Sequence, residues 1–294
     1  MMKVVRATDL GMCFGVRDAL QIVDQIADPT QVTIHGELVH NAQVNSRLFA
    51  AGFHQSAETD RQDLPETPLV MITAHGISQV ERTRLQSAGK QLIDTTCPLV
   101  RRVHEAALEL QAQGRHVLVI GKAGHVEVQG VVEDLHSYDV VEHPRDVDTY
   151  QTHQLGVVCQ TTMPSDLVSD VYSQIAMHNP DADIRFADTV CDPTKRRQQA
   201  MLDLIRVVDA VVVVGGCNSN NTRRLVQLCD QHSIPARHVE SADELDPEWF
   251  RDVETVGLTA GTSTLDETID AVQSALEQIA QNYRTQGQTS CAQS

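Results

Sequence analysis

Aromatic side chains are scarce in this sequence, at 3% of residues. Lysine and arginine together number 23 against 40 aspartates and glutamates, for a formal net charge of −17. So acidic a chain lacks the basic face that a phosphate backbone requires, which excludes nucleic acid as the main partner. A small anion is not excluded, because backbone N–H groups and histidines can make a pocket locally positive on an acidic surface. There is no run of about 18 apolar residues, so no membrane span is predicted. The opening Met1-Met2-Lys3-Val4-Val5 lacks the layout of a signal peptide, and the protein is expected in the cytoplasm. No dinucleotide fingerprint follows an apolar run and no phosphate-binding G-x-x-x-x-G-K-[ST] occurs, so electrons for any redox chemistry are expected from a protein donor. The seven cysteines contain no C-x-x-C pair. Their odd number makes a poor disulfide framework.

At 41% hydrophobic and 21% charged, the 294 residues are a folded chain of about two domains, or three smaller ones. Three segments read alike: Val4–Cys13, Leu92–Cys97 and Ile184–Cys191. Each has a short apolar stretch, an Asp and, three or four residues later, a Cys. Each is followed by apolar residues at helical spacing: Val16, Ala19, Leu20 and Val23; Val103, Ala106, Ala107 and Leu110; Met201, Leu204, Ile205 and Val208. Each Cys thus falls where a strand gives way to a helix. Further apolar runs at 32–34, 69–72, 117–120, 155–158, 211–214 and 256–258 each end in a polar turn. Strands alternating with helices imply parallel sheets covered by helices, with ligands beyond the carboxyl ends of the strands. The expected fold is α/β, a trefoil of three pseudo-repeated lobes around a central cleft. The expected lobes are 1–95, 96–189 and 190–281, with a polar, frayed tail at 282–294.

A lone Cys is ordinarily a small buried hydrophobe. That suits Cys159, in an apolar run, and Cys229, in a helix-like stretch. Cys291 lies in the tail, and Cys217 is ambiguous in its polar turn. The shared context of Cys13, Cys97 and Cys191 points instead to a sulfur-rich metal site. Zinc prefers four ligands with paired short spacings. Three thiolates on a four-iron cluster leave one iron open to substrate, which separates a catalyst from an electron carrier.

The polar turns suit a phosphate-bearing ligand. Hydroxyls such as Thr161 and Ser263 at strand–helix junctions are ordinary N-caps, and the same positions gather donors for an anion. Asn218-Ser219-Asn220-Asn221-Thr222 is too dense in short donors to be a cap alone. His40, His75 and His125 follow strands in matching turns and suit a diphosphate. Glu127, two residues from His125, is either a solvent-facing carboxylate or a proton donor to substrate.

Taken in order, Gly11-Met12-Cys13-Phe14-Gly15-Val16, Leu38-Val39-His40-Asn41, Ala74-His75-Gly76, Asp94-Thr95-Thr96-Cys97-Pro98, Gly124-His125-Val126-Glu127, Gln160-Thr161-Thr162, Asn218–Thr222 and Thr259-Ala260-Gly261 resemble the LytB/IspH family of 4-hydroxy-3-methylbut-2-enyl diphosphate reductases. The resemblance covers about residues 3–281. It implies a three-lobed trefoil around a [4Fe-4S] cluster, which can appear as [3Fe-4S], held by Cys13, Cys97 and Cys191. It implies that His40, His75, His125, Thr161, Ser219, Asn220, Asn221 and Ser263 bind the diphosphate substrate. It implies that Glu127 supplies the proton that lets the hydroxyl leave as water, giving isopentenyl or dimethylallyl diphosphate in the last step of the non-mevalonate pathway. Ferredoxin or flavodoxin is the implied electron donor. Departures from the pattern are Cys217, Asn220 in place of a Ser, Val126 and Leu265 in place of Pro, and Pro193-Thr194-Lys195-Arg196 after the third Cys. The competing readings are a non-catalytic iron–sulfur sensor or carrier on the same scaffold, and a zinc protein.

Overall fold

The structure, a computed structural model, describes residues 2–57 and 63–291, and for residues 284 and 286–291 the backbone course alone. In chain order the strands are β1 (Lys3–Arg6), β2 (Val32–His35), β3 (His54–Gln55), β4 (Leu69–Ile72), β5 (Gln91–Asp94), β6 (His116–Ile120), β7 (Tyr138–Val141), β8 (Gln154–Cys159), β9 (Asp183–Phe186), β10 (Ala210–Val214), β11 (Ala236–Val239) and β12 (Thr255–Ala260). The helices are α1 (Phe14–Asp24), α2 (Ala42–Ala50), α3 (Gln79–Ser87), α4 (Pro98–Ala112), α5 (Val126–Val132), α6 (Ser165–His178), α7 (Asp192–Ile205), α8 (Asn220–Gln231) and α9 (Asp266–Cys291).

The strands form three four-stranded sheets, ordered β3-β2-β4-β5, β7-β6-β8-β9 and β11-β10-β12-β1. Every pairing is parallel. The central strands are the apolar runs read from the sequence, and they are buried on both faces as parallel sheets require. In β10, Val211 and Val213 face the cluster that Met201, Leu204 and Leu225 complete, while Val212 and Val214 face Ile269, Val272 and Leu276 of α9.

The chain divides into two units, one of residues 14–194 carrying two sheets, the other of residues up to 13 together with those from 195 onward carrying the third. The first boundary expected from the sequence therefore changes. Residues 3–6 do not join the sheet of residues 32–94. They pair as β1 with β12, in register Lys3 to Thr255 through Arg6 to Leu258. The physical reason lies in the strand order. Two sheets take their fourth strand, β5 or β9, from their own end, whereas the last takes it from the start of the chain. The likeness of the three Cys segments therefore marks equivalent edge strands, without revealing which sheet each belongs to.

The expected frayed tail is also replaced. Helix α9 continues past Asn282 to Cys291, and Tyr283 holds it by packing on the core and donating its hydroxyl to the Pro247 carbonyl at 2.6 Å. The rest of that tail, 292–294, lies outside the described residues.

The helices that follow Cys97 and Cys191 are each drawn down onto a sheet. A Cβ on Gly156 of β8 would lie 2.9 Å from Leu110 of α4, and one on Gly257 of β12 would lie 2.9 Å from Leu204 of α7. Glycine at these strand centres lets the helix approach closely, which fixes where its first turn, and the cysteine before it, can sit.

Candidate active site

The three cysteines share one backbone device. The Cys97 amide donates to the Ala74 carbonyl at 3.1 Å, the Cys191 amide to Thr161 at 3.0 Å and the Cys13 amide to Thr262 at 3.1 Å. Each acceptor lies two residues past the end of its sheet's third strand, β4, β8 or β12. The aspartates before two of the cysteines explain part of the sequence pattern. Asp94 accepts from the Thr96 amide at 2.9 Å and Asp188 from the Val190 amide at 3.2 Å, local turns that aim the chain at the Cys. Asp9 acts differently. It pairs with Arg196 and with buried Arg197, whose guanidinium also donates to the Gly11 carbonyl at 2.6 Å and so fixes the loop before Cys13.

Cys13, Cys97 and Cys191 are half-buried free thiols. Cys159 and Cys229 are buried core, as the sequence implies, and burial pushes the Cys229 thiol up to about 12. Cys217 is exposed, and its thiol is raised by its hydrogen bond to Glu240. Within residues 14–194, a Cβ on Gly15 would lie 2.6 Å from the Cys97 Sγ. The first turn of α1, which follows Cys13, therefore abuts the Cys97 sulfur. The Cys191 Sγ lies 3.1 Å from the Oγ1 of fully buried Thr194. These surroundings fit thiolates serving a cluster: one sulfur has room only because a side chain is missing, and another has a hydroxyl able to donate to it. Among the described residues no three His, Cys, Asp or Glu side chains close on one point as a single ion needs. A cluster makes no such demand, since each thiolate binds a different iron.

A hydrogen bond on a ligating sulfur raises the potential by favouring the more negative, reduced state. Thr194→Val keeps the shape and removes the donor. In electrochemical titration of the reconstituted protein the midpoint should fall by about 20–60 mV, the one-electron equivalent of a bond worth roughly 0.5–1.5 kcal/mol. An unchanged potential would remove Thr194 from the site.

The unit of residues 14–194 also gathers the predicted histidines. The rings of His40 and His75 stack with centroids 4.4 Å apart, and His125 meets them edge-on at 5.5 and 5.8 Å. Each comes from the turn after a different strand, β2, β4 or β6. His40 Nδ1 donates to Glu37 at 2.9 Å, whereas His125 Nδ1 accepts from the Glu127 amide at 3.2 Å and caps α5. Val126 is the first residue of that helix, where a proline's missing N–H would cost nothing, so valine there costs no hydrogen bond.

Glu127 is buried at 2% exposure, so it is no solvent-facing carboxylate. Its Oε1 accepts from the Thr161 amide at 2.6 Å and its Oε2 faces the Thr161 hydroxyl at 2.9 Å. Burial pushes its carboxyl up to about 7 against the opposing pull of Thr161 and His40. Thr161 is therefore not an N-cap: the cap position of α6 is Pro164, and the Thr161 hydroxyl serves Glu127.

In the other unit, Ser219 and Asn221 follow β10 and Ser263 follows the neighbouring β12; all three are buried. Ser219 caps α8 by accepting from the Thr222 amide, the ordinary reading of such a residue. Asn221 Oδ1 accepts from the Thr262 amide at 3.1 Å, while its Nδ2 is buried without a partner. The Thr262 carbonyl accepts from the Cys13 amide, so one residue joins the Asn-rich turn to the first cysteine. Asn220 is half-buried and accepts from Arg223 instead. Gly215, at φ 148°, leaves space that a Cβ would fill at 2.6 Å from the Thr222 hydroxyl.

Comparison with known proteins accords with these arrangements. A family model described as LytB protein matches residues 4–277. A curated 4-hydroxy-3-methylbut-2-enyl diphosphate reductase of Aquifex aeolicus is 33% identical over 96% of this chain and 98% of its own length. The one from Pelobacter propionicus is 35% identical over 95% and 99%. Among solved structures, the E-1-hydroxy-2-methyl-but-2-enyl-4-diphosphate reductase of Plasmodium falciparum superposes with a TM-score of 0.83 at 26% identity, over 91% of this chain and 85% of that one. A second, described as the terminal enzyme of the non-mevalonate pathway, gives 0.69 at 33% identity, over 95% and 100%. With the cysteine turns, the histidine cluster and the buried acid all in place along the matched span, the chain belongs to the LytB protein family.

Proposed function

We propose that this protein is a cytoplasmic 4-hydroxy-3-methylbut-2-enyl diphosphate reductase, which converts its substrate to isopentenyl and dimethylallyl diphosphate by removing the hydroxyl as water. The observation that carries the reading is Glu127. It is a buried acid raised to about 7, bonded through both oxygens to Thr161, whose carbonyl holds the amide of Cys191. A sensor or carrier has no use for such an acid. Cys13, Cys97 and Cys191 would hold a [4Fe-4S] cluster. The chemistry it supplies when bound is Lewis acidity at an iron that no protein sulfur holds, together with two one-electron reductions.

The protein's own residues bind and protonate. The Thr161 amide can only donate, so Oε1 of Glu127 stays an acceptor and the acid proton resides on Oε2. In the carboxylate form the Thr161 hydroxyl donates to Oε2; when the acid is protonated that bond reverses, Oε2–H donating to the Thr161 hydroxyl, which is then able to pass its own hydrogen on to the substrate oxygen. A carboxyl near 7 is about half protonated at neutral pH, which suits it to general-acid work. His40, His75 and His125, with Ser219, Asn221 and Ser263, supply donors for the diphosphate, and Asn220 offers its amide. Holding the charged end fixes the reacting carbon in place.

The test is anaerobic reconstitution with iron and sulfide, then turnover of the allylic diphosphate with a reduced dye. The two isomeric diphosphates are the expected products. A loaded cluster, seen as a broad absorption near ~410 nm, with no product would overturn the assignment.

A further inference from the structure

Resting on the reductase reading, we infer that Glu37 is a positioning residue for the diphosphate: its bond to His40 Nδ1 obliges that ring to meet the ligand as a cation, so that diphosphate binding draws a proton into the site. His40 and His125 are wired in opposite ways. Glu37 Oε2 accepts from His40 Nδ1 at 2.9 Å. A neutral His40 would then turn the bare lone pair of Nε2 toward phosphate oxygens, which are themselves acceptors. His40 therefore serves the diphosphate with both ring nitrogens protonated. His125 Nδ1 instead accepts from the Glu127 amide at 3.2 Å. Its single hydrogen sits on Nε2, and it donates to an anion without taking up a proton.

His75 stacks on His40 with ring centroids 4.4 Å apart, a spacing at which two imidazolium charges oppose each other. The trio thus takes up one charge on binding, and Glu37 places it on His40. Two carboxyl groups face that ring from different elements. Glu37 comes from the same turn, and Glu127 from the first turn of α5, where His40 pulls against the rise that burial imposes. Glu37 is the standing counter-charge of the two, because Glu127 has to hold the proton it donates. The turn is built to keep the pair in place. Gly36, at φ 104°, bends the chain after β2. Leu38 and Val39, between the pair, are buried, and Asn41 caps α2 directly after it. The proton comes from solvent and returns there when the product leaves, so affinity for a diphosphate weakens as pH rises.

The experiment uses the reconstituted enzyme, held oxidised without air, and inorganic pyrophosphate as the probe. Calorimetry at pH 8, where an imidazole is ordinarily neutral, in buffers of different ionisation enthalpy counts the protons taken up. Glu37→Gln lets the side-chain amide donate to Nδ1, so that a neutral ring presents Nε2–H. It should bind with about one proton fewer than the unaltered enzyme. Protons taken up or released by pyrophosphate itself are common to both proteins and drop out of the difference. Affinity near pH 7 should fall about tenfold with the charge-assisted bond, and its decline with pH should flatten. In dye-driven turnover the KM for the allylic diphosphate should rise by more than kcat falls. A merely structural role would weaken binding and leave the proton count unchanged; that result would overturn the proposal, as would unaltered affinity. If the variant does not fold, nitrogen-15 NMR of the unaltered protein saturated with pyrophosphate decides: His40 must show both ring nitrogens protonated and His125 one, and a neutral His40 would overturn the proposal. Absence of pyrophosphate binding and of dye-driven turnover in the unaltered enzyme would instead remove the reductase reading, and this proposal with it.

Discussion

Glu127→Gln is expected to lower turnover about 10²- to 10³-fold, the range for losing a positioned general acid, while the cluster still assembles. Glutamine keeps an oxygen to accept from the Thr161 amide and offers an N–H to the Thr161 hydroxyl, so the geometry persists and only the transferable proton is lost. The pH dependence carries a sign. Burial raises this carboxyl from 4.5 to about 7, so the folded protein binds the proton more tightly than the unfolded chain. The stability this contributes is fully present below about 4.5 and is lost as pH rises through about 7. The variant has no such dependence. Between pH 4 and pH 8 the stability difference should therefore move in its favour by roughly 3 kcal/mol, measured by denaturant unfolding of the cluster-free proteins at both pH values. Activity of the unaltered enzyme should decline over the same upper limb. A variant that kept its turnover, or gained nothing in relative stability at the higher pH, would show that Glu127 is neither the acid nor a strained buried charge.

Gly15→Ala is expected to cost about 10- to 100-fold in cluster affinity, as changes behind metal ligands do. Propensity alone favours the substitution, since alanine stabilises a helix by roughly 0.5–1 kcal/mol over glycine. Contact decides otherwise, because the new Cβ would stand 2.6 Å from the Cys97 Sγ and 3.2 Å from its Cβ. The sulfur must move, and in the proposed function it is the part that meets iron. Iron and sulfide content after reconstitution, with the charge-transfer absorption, should fall sharply, while far-UV circular dichroism and the thermal midpoint of the cluster-free protein hold. Full loading of the variant would show that the close approach has no bearing on the cluster.

Much of this was legible beforehand, for physical reasons. Six central strands declared themselves as apolar runs because parallel strands covered on both faces admit little else. The short edge strands β3, β7 and β11 did not. His54 and Gln55 are both exposed, and Tyr138 and Asp139 of β7 face solvent, so no pattern of burial was written there. The Asp–Cys–helix repeat was visible, and the structure explains it by the turns of Asp94 and Asp188. That β1 closes the last sheet was not visible, because pairing between residues 3 and 255 leaves no local trace. At the site, Glu127 stands out in the sequence only by its spacing from His125. Its burial, and the switch of Thr161 from cap to partner, depend on side chains that meet only after folding. Gly15, Thr194 and Arg197 carry no sign of their roles in the sequence, because these rest on contacts with a sulfur, a carbonyl and a carboxylate that form only on folding.

The pairing of β1 with β12 also orders events during synthesis. Cys13 leaves the ribosome well before Arg197 and Thr262, yet its amide is fixed by Thr262 and the loop before it by Arg197. The earliest sulfur is thus the last to be seated. Loading of the proposed cluster has to wait until β12 and the turn after it have been made, and a nascent chain stalled short of β12 would expose that thiol to oxidation without the partners that set its place.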